Sequence, residues 1–319
     1  MIDFGIIVTC CESDYLFAKG CCASIRYFLG DIPICLLIDG NFSASDAQNT
    51  YGVRILNRSQ ITNPFLRKHS FGWGITKMVA FWESPWKHFL MLDADTIVWG
   101  NILKYANFHE ADIIIDRPNK CYTDASISKY FFEISKIEQH FPDFNWQAHR
   151  SDYYCTGAFF GKRDIFSISE YRNILEFIEE NPEVFKYGEM GFLNFMIFRA
   201  ADEGRIRLGQ EEMQFLVPNF EQEHVRKRFT IEKDRGPILS GEEATIVHWC
   251  GVEKPTVSNS KIYSEPMSFF RRKFLRDSAG VTGGKAEVLL QIEDWQRLIR
   301  VYQRKIRRRL AIVDRIREN

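Results

Sequence analysis

Two carboxylates, Asp93 and Asp95, lie one residue apart in this chain with Ala94 between them, directly after the apolar run 89–92. The run has the composition of a buried strand, so the acidic pair stands where a strand leaves the core. In open α/β sheets, ligands bind in the crevice outside the carboxyl ends of the strands. Two hard oxygen donors at that edge suit Mg²⁺ or Mn²⁺ carrying a diphosphate, and we predict such a site here.

A second group of residues follows the strand-like segment 244–247. His248 leaves this segment as Asp93 leaves the first, Gly251 permits close backbone approach, and Lys254 adds a cation on a flexible stem. Together they could supply a metal nitrogen ligand, amides for phosphate oxygens and a charge for a leaving diphosphate. Taken singly, each has an ordinary alternative: a turn-forming acidic pair, a core histidine and a surface lysine.

The elements that must position these residues alternate along the chain. Apolar runs typical of strands buried on both faces occur at 4–8, 34–38, 89–92, 113–115 and 158–160. Helical periodicity occurs at 16–29, 76–82 and 164–178. Segments without periodicity, predicted as loops, are 57–73, 117–126 and 218–242. This alternation predicts an α/β domain.

Charge is balanced overall but not along the chain. The 42 Lys and Arg equal the 42 Asp and Glu, and the net charge of zero argues against a nucleic-acid-binding protein. Residues 261–319 nevertheless hold 15 basic and 7 acidic residues. From Ala286 onward, apolar residues recur three and four positions apart, which predicts one long amphipathic helix with a basic run at 304–309. The helix could pack on its own domain, self-associate, or contact a membrane surface through 286–319.

The cysteines and the N-terminus bear on the compartment. Eight cysteines occur without a C-x-x-C pair or a small-domain disulfide pattern, which favours reduced thiols. The N-terminal residues are typical of a core strand rather than a signal peptide, and no apolar run reaches the length of a membrane span. We therefore expect a cytoplasmic protein, attached at most to the inner face of the membrane.

Taken in order, the motifs of residues 3–256 resemble those of GT-A-fold glycosyltransferases, specifically family 8. The matching segments are an N-terminal strand with Tyr15 opening a helix, then 74–77, 89–96, 154–160, 188–194 and 248–255. The set of motifs in this order is more specific to the family than any single motif. The resemblance implies a Rossmann-like catalytic domain with a mixed central sheet at 1–258, followed by a basic helical extension at 259–319.

The resemblance also implies roles for individual residues. Asp93, Asp95 and His248 would hold Mn²⁺ or Mg²⁺. The residues implied in catalysis are Asp93, Asp95, Glu189 and Lys77. The residues implied in binding the nucleotide sugar are Thr9, Tyr15, Lys77, Asp93, Ala94, Thr156, Gly157, Asn194, Gly251 and Lys254. Thr9 and Tyr15 would contact the base, although Tyr15 also fits a half-buried core aromatic. Glu189 and Asn194 fall where relatives contact sugar hydroxyls or acceptor, and Trp73 and Trp82 could line an acceptor groove or simply pack.

Two positions depart from the family pattern: Glu189-Met190 replaces the usual Asp-Gln, and Cys155 replaces a usual Asn. Met190 removes the side chain that often lies on the reacting face of the donor sugar. The resemblance implies a Mn²⁺-dependent, retaining hexosyltransferase of cell-surface polysaccharide synthesis. Its donor would be UDP-glucose or UDP-galactose, and its acceptor a glycan or a lipid-linked glycan.

Two alternatives remain open at this point. A sugar-1-phosphate nucleotidyltransferase would carry a glycine-rich basic loop after its first strand, whereas segment 9–14 is acidic and lacks glycine. A catalytically inactive scaffold that binds nucleotide sugars would fit the loss of glutamine at Met190.

Overall fold

The computed structural model describes residues 3–72, 74–232 and 235–318, and in its last helix it describes side chains through 304 and at 306. Trp73 and most side chains of the basic run 304–309 therefore lie outside the described part. The strands are β1 (Phe4–Cys11), β2 (Ile34–Asp39), β3 (Arg54–Asn57), β4 (His88–Asp93), β5 (Thr96–Gly100), β6 (Ile113–Asp116), β7 (Ala158–Lys162), β8 (Leu208–Glu211), β9 (Gln214–Leu216), β10 (Ile231–Glu232), β11 (Gly236–Pro237) and β12 (Ala244–His248). The α-helices are α1 (Tyr15–Leu29), α2 (Ser45–Tyr51), α3 (Pro64–His69), α4 (Ala80–Glu83), α5 (Asp124–Tyr130), α6 (Ile134–His140), α7 (Ile168–Glu180), α8 (Glu189–Asp202), α9 (Gln222–Arg228), α10 (Glu265–Ala279) and α11 (Gly283–Glu318).

A seven-stranded mixed sheet in the order β3-β2-β1-β4-β7-β6-β8 forms the centre of the molecule. Strands β3, β2, β1 and β4 run parallel, β7 is antiparallel to both of its neighbours, and β6 runs parallel to β8. A smaller sheet in the order β5-β12-β9 lies beside it. The predicted α/β class with a mixed central sheet is confirmed, as are the five predicted strands.

Side chains alternate between the two faces of the central sheet and fill two separate cores. On β1, Ile6 and Val8 belong to the core beneath α1 and α10, whereas Ile7 points into the core formed with α7 and α8. All three are 0% exposed. Burial on both faces explains why these strands are continuous apolar runs rather than alternating ones.

The segments predicted as loops contain more structure than expected. Segment 57–73 includes α3, whose first turn is capped by the Asn63 side chain, and segment 218–242 includes α9 and the short β10-β11 pair. Segment 117–126 ends in the first turn of α5. Helices of six or seven residues depend on caps and tertiary contacts, so their periodicity is too short to detect in sequence.

The long helix α11 begins at Gly283, and its first half packs on the domain through its less apolar face. Ala286 and Leu290 are buried, and Asp294 forms a buried ion pair of 2.8 Å with Arg271 on α10. The predicted apolar stripe faces away from the domain. Its described large side chains are 44–69% exposed and comprise Val288, Ile292, Trp295, Ile299, Tyr302 and Ile306, and Leu298, which was not predicted, is exposed beside them. Leu310 and Val313, also predicted for the stripe, lie outside the described side chains. Along the described residues, no helix combines the length and apolar character needed to cross a bilayer.

Candidate functional site

Three strand ends meet at one edge of the two sheets. Strands β1 and β4 are parallel and pair Thr9 with Asp93, and the Ala94 amide donates to the Thr9 carbonyl at 3.1 Å. Strand β12 ends at His248, opposite Thr96 on β5. A cavity of about 650 Å³ opens at this edge. It is lined by predicted residues from every motif: Thr9, Lys77, Asp93, Ala94, Asp95, Thr156, Gly157, Glu189, His248, Gly251 and Lys254.

The two carboxylates and the imidazole form a compact cluster on the cavity floor. Nε2 of His248 lies 3.5 Å from Oδ1 of Asp95 and 4.0 Å from Oδ2 of Asp93. One ligand atom from each residue falls within 4.8 Å of the others. Two carboxylate oxygens and one imidazole nitrogen with this spacing suit a shared divalent cation such as Mn²⁺ or Mg²⁺.

The position of His248 depends on two residues from other segments. A Cβ on Gly157 would lie 2.1 Å from Cε1 of His248, so the ring occupies the space that any side chain at 157 would fill. On the other side, Nδ1 of His248 lies 3.2 Å from Oε1 of Gln214 on β9. The Gln214 amide nitrogen donates to the Cys155 carbonyl at 2.8 Å, which fixes the amide orientation and leaves Oε1 to accept from Nδ1. In the neutral ring, Nε2 is thereby left with its lone pair toward the carboxylates, where a cation could bind it.

Lys77 lies buried between two carboxylates. Its Nζ is 2.8 Å from Asp93 and 2.8 Å from Glu189, and it donates to the Thr156 carbonyl at 3.0 Å. Burial on its own lowers the pKa of Lys77, but Asp93 and Glu189 outweigh it and raise the pKa above its ordinary value. The lysine stays charged and holds both acids in fixed positions.

Lys254 approaches the cluster from the opposite side. It pairs with Asp95, and its side chain retains 20% exposure toward the cavity. Burial raises the pKa of Asp95, but Lys254 and His248 overcome that effect and hold the pKa below its usual range. Burial also lowers the pKa of His248, whereas Cys155 and Asp95 raise it, to about 10, so without a cation the ring carries a proton on Nε2 that a bound cation would replace. The cluster therefore combines ionised carboxylates with cationic neighbours.

Two further features shape the cavity. Gly74 has φ +85°, and a Cβ there would lie 1.9 Å from the Glu189 carboxylate, so any other residue would strain the backbone and displace that carboxylate. Tyr187 adopts φ 51°, unusual for a residue other than glycine, and its 53% exposed side chain lines the cavity beside Met190. These residues border the space around Thr156 and Glu189.

Two predicted residues do not reach the cavity lining. The Tyr15 hydroxyl donates to Asp46, and the ring packs 5.4 Å from that of Phe42. Asn194 is 0% exposed, and its side-chain amide accepts a hydrogen bond from the Tyr154 N–H and donates one to the Tyr154 carbonyl. Their assignment to base and sugar binding stays a prediction.

The cavity also includes residues that the sequence analysis missed. Arg297 and Arg304 reach it from α11: Arg297 pairs with Asp14 at 3.1 Å, and Arg304 donates to Ser13 at 3.4 Å. Asp39, at the end of β2, also lines it. The position of Asp39 at a strand end was a usable signal, whereas the arginines belong to a helix outside every motif, and no local pattern linked them to the cavity.

Comparisons with known proteins identify the fold. No protein-family model and no curated protein matches this chain. Among solved structures, the galactosyltransferase LgtC with donor and acceptor sugar analogs is similar at 14% identity and a TM-score of 0.53, over 88% of this chain and 96% of that one. The glycosyltransferase GlyE of Streptococcus pneumoniae TIGR4 has 13% identity and a TM-score of 0.51, over 91% and 62%. The bifunctional glycosyltransferase WbbM has 11% identity and a TM-score of 0.52, over 93% and 52%. The chain therefore has the GT-A fold, resembling that of family 8 glycosyltransferases.

Proposed function

We propose that this chain is a metal-dependent glycosyltransferase that moves a hexose from a nucleotide-sugar donor to a hydroxyl of a glycan or lipid-linked acceptor. The observation that carries the proposal is the Asp93–Asp95–His248 cluster on the floor of a cavity in a GT-A fold. UDP-galactose and UDP-glucose are the proposed donors, the first supported by similarity to the galactosyltransferase LgtC.

Lys254 and Lys77 differ in exposure, and their proposed roles differ accordingly. A bound Mn²⁺ or Mg²⁺ would neutralise charge on the departing diphosphate. Lys254 is partly exposed and can rotate from Asp95 to a phosphate oxygen, which would add a second positive charge. Lys77, 2% exposed and held by three partners, instead acts as a positioning residue for Asp93 and Glu189.

The donor sugar would lie beside Thr156, Glu189 and Met190. Thr156 donates its hydroxyl to Glu189 at 2.9 Å, which leaves the other Glu189 oxygen near Gly74. Met190 offers a sugar hydroxyl only a weak thioether acceptor in place of an amide, so its part of the cavity wall contributes mainly packing. We propose transfer with retention, in which a phosphate oxygen of the leaving group takes the acceptor proton and no protein base is needed.

The test is metal-dependent binding and turnover. A thermal-shift panel of UDP, UDP-glucose and UDP-galactose, with and without Mn²⁺, should show stabilisation only when nucleotide and metal are both present. UDP release from the preferred donor should fall at least about 100-fold in Asp95→Ala and His248→Ala. Asp143→Ala and His140→Ala, at exposed positions, serve as matched controls.

The outcomes separate the candidate functions. Full activity of Asp95→Ala in the presence of a chelator would overturn the metal role. Tight metal-dependent UDP binding without UDP release from any donor would favour a catalytically inactive binding module, the alternative suggested by Met190. Pyrophosphate release from a nucleoside triphosphate and a sugar phosphate would instead indicate a nucleotidyltransferase.

The exposed apolar stripe of α11 indicates that another surface covers this helix, and we propose that this surface is the same stripe on a second copy of the chain. The stripe residues Ile292, Trp295, Ile299 and Tyr302 alternate in steps of three and four, the spacing of a coiled-coil seam. The exposed residues that flank the stripe include the uncharged Gln291, Gln296 and Gln303, so two copies could approach without repulsion between like charges.

Light scattering on the full chain tests this partner. We expect a dimer that becomes a monomer in Trp295→Glu, because the charge would be buried in the seam. A wild-type monomer that binds anionic vesicles would instead support contact with the inner face of a membrane and a place in cell-surface polysaccharide synthesis.

A further inference from the structure

The imidazole of His248 lies between two different sets of metal-ligating atoms. Its Nε2 faces the carboxylates of Asp93 and Asp95, and its Nδ1 lies 3.8 Å from Sγ of Cys155. The ligand atoms of Cys155, His248 and Cys250 all fall within 4.8 Å of one another. The first set is hard and oxygen-rich, whereas the second contains two sulfurs and a nitrogen, the donors that Zn²⁺ prefers.

The sulfur set has the dimensions of a zinc site. Tetrahedral Zn²⁺ with Zn–S near 2.3 Å and Zn–N near 2.0 Å separates a sulfur from a nitrogen ligand by about 3.6 Å. The observed 3.8 Å between Cys155 Sγ and His248 Nδ1 is close to that value. Both cysteines line the main cavity, and Cys155 also lines a second cavity of about 490 Å³, so an ion has a path to the thiols.

The two ligand sets cannot use a neutral His248 at the same time. A neutral imidazole has one nitrogen with a free lone pair and one that carries a proton. The hydrogen bond from Nδ1 to Gln214 leaves the lone pair on Nε2, toward the carboxylates. Zinc bound at Nδ1 would break this hydrogen bond and place the proton on Nε2, so the hard site would lose its nitrogen ligand.

We infer that Cys155, Cys250 and Nδ1 of His248 form a zinc site that competes with the hard-cation site of the proposed transferase. Each thiol releases its proton to solvent as the sulfur binds zinc, and no oxidation is involved. Zinc would then weaken the binding of the nucleotide that depends on the hard cation. This regulatory effect rests on the proposed function, whereas the zinc site itself does not.

Cobalt spectroscopy of the full chain without nucleotide tests the zinc site. Co²⁺ should give the thiolate-to-cobalt charge-transfer absorption at about one equivalent, and one equivalent of Zn²⁺ should remove it. Cys250→Ser and Cys155→Ala should each greatly reduce the absorption, and exposed Cys121 provides the control Cys121→Ser, which should retain it. Co²⁺ bound without thiolate absorption, or an unchanged absorption in Cys250→Ser, would overturn the inference.

Nucleotide binding tests the competition. With limiting Mn²⁺, one equivalent of Zn²⁺ should weaken UDP binding at least about tenfold in the wild type and in Cys121→Ser, but not in Cys250→Ser. Thiolate absorption without any effect of zinc on UDP binding would refute the competition and leave the zinc site standing. Absence of Mn²⁺-dependent UDP binding in every variant would count against the proposed function, whatever the cobalt result.

Discussion

Gln214→Leu is the most informative single substitution, because Gln214 hydrogen-bonds the His248 ring and does not itself line the main cavity. Leucine keeps a comparable volume but cannot accept the proton of Nδ1 at 3.2 Å, so the imidazole would no longer be held in the form that presents a lone pair to the carboxylates. Loss of a residue that hydrogen-bonds a metal ligand typically lowers the metal affinity 10–100-fold, which corresponds to about 1.4 to 2.8 kcal/mol of binding free energy. We expect a loss of that size in the affinity for Mn²⁺ in the presence of UDP.

Calorimetric titration of Mn²⁺ into the UDP-saturated protein measures this effect directly. The matched control is Gln147→Leu, a substitution of the same type at an exposed position. The thermal midpoint must also be recorded, since Gln214 donates to the Cys155 carbonyl and its loss should cost about 1 kcal/mol of stability. A folded Gln214→Leu protein that binds Mn²⁺ as tightly as the control would refute the assigned role of the Gln214–His248 hydrogen bond.

Three further predictions concern buried contacts. Gly157→Ala should destabilise the fold by about 1 to 3 kcal/mol and weaken Mn²⁺ binding, because its methyl group would displace the His248 ring; chemical unfolding and metal titration check both effects. Burial raises the pKa of Asp116 to about 6, so its ionisation opposes folding: the stability it contributes is fully present below pH 4 and is lost as the pH rises through 6. Wild type should therefore lose up to about 3 kcal/mol relative to Asp116→Asn between pH 4 and pH 8, and parallel unfolding curves of the two proteins would contradict this. Asp294→Ala should lower the free energy of unfolding by about 3 kcal/mol, since it removes a carboxylate that pairs with the 1% exposed Arg271. A thermal midpoint equal to that of wild type would exclude a stabilising role for this ion pair.

The sequence was sufficient to predict the strand framework and the residues at its edge. The apolar runs of β1, β4 and β12 are local signals, and residues that follow such runs must emerge at the ends of strands. Asp93 and His248 were predicted to meet for this reason, together with the family resemblance, and they lie 4.0 Å apart.

The short helices and the orientation of α11 could not be predicted in the same way. The periodicity of α11 was clear in the sequence, but it indicates only that one face is apolar. The structure places that face outward, because buried contacts of Ala286, Leu290 and Asp294 hold the other face against the domain. Which face of an amphipathic helix meets its own domain depends on the surface offered by other elements, such as α10.

The sequence by itself determined the fold class and the acidic residues, histidine and lysines at the centre of the cavity, because burial patterns and strand ends are local properties of the chain. Only the tertiary structure decided what surrounds His248. Gln214 comes from the parallel pairing of β9 with β12, whereas Gly157 immediately precedes β7 and Cys155 lies two residues before Gly157. These contacts join residues 34 to 93 positions apart. Strand pairing creates them, and no local pattern in the sequence specifies which strands pair.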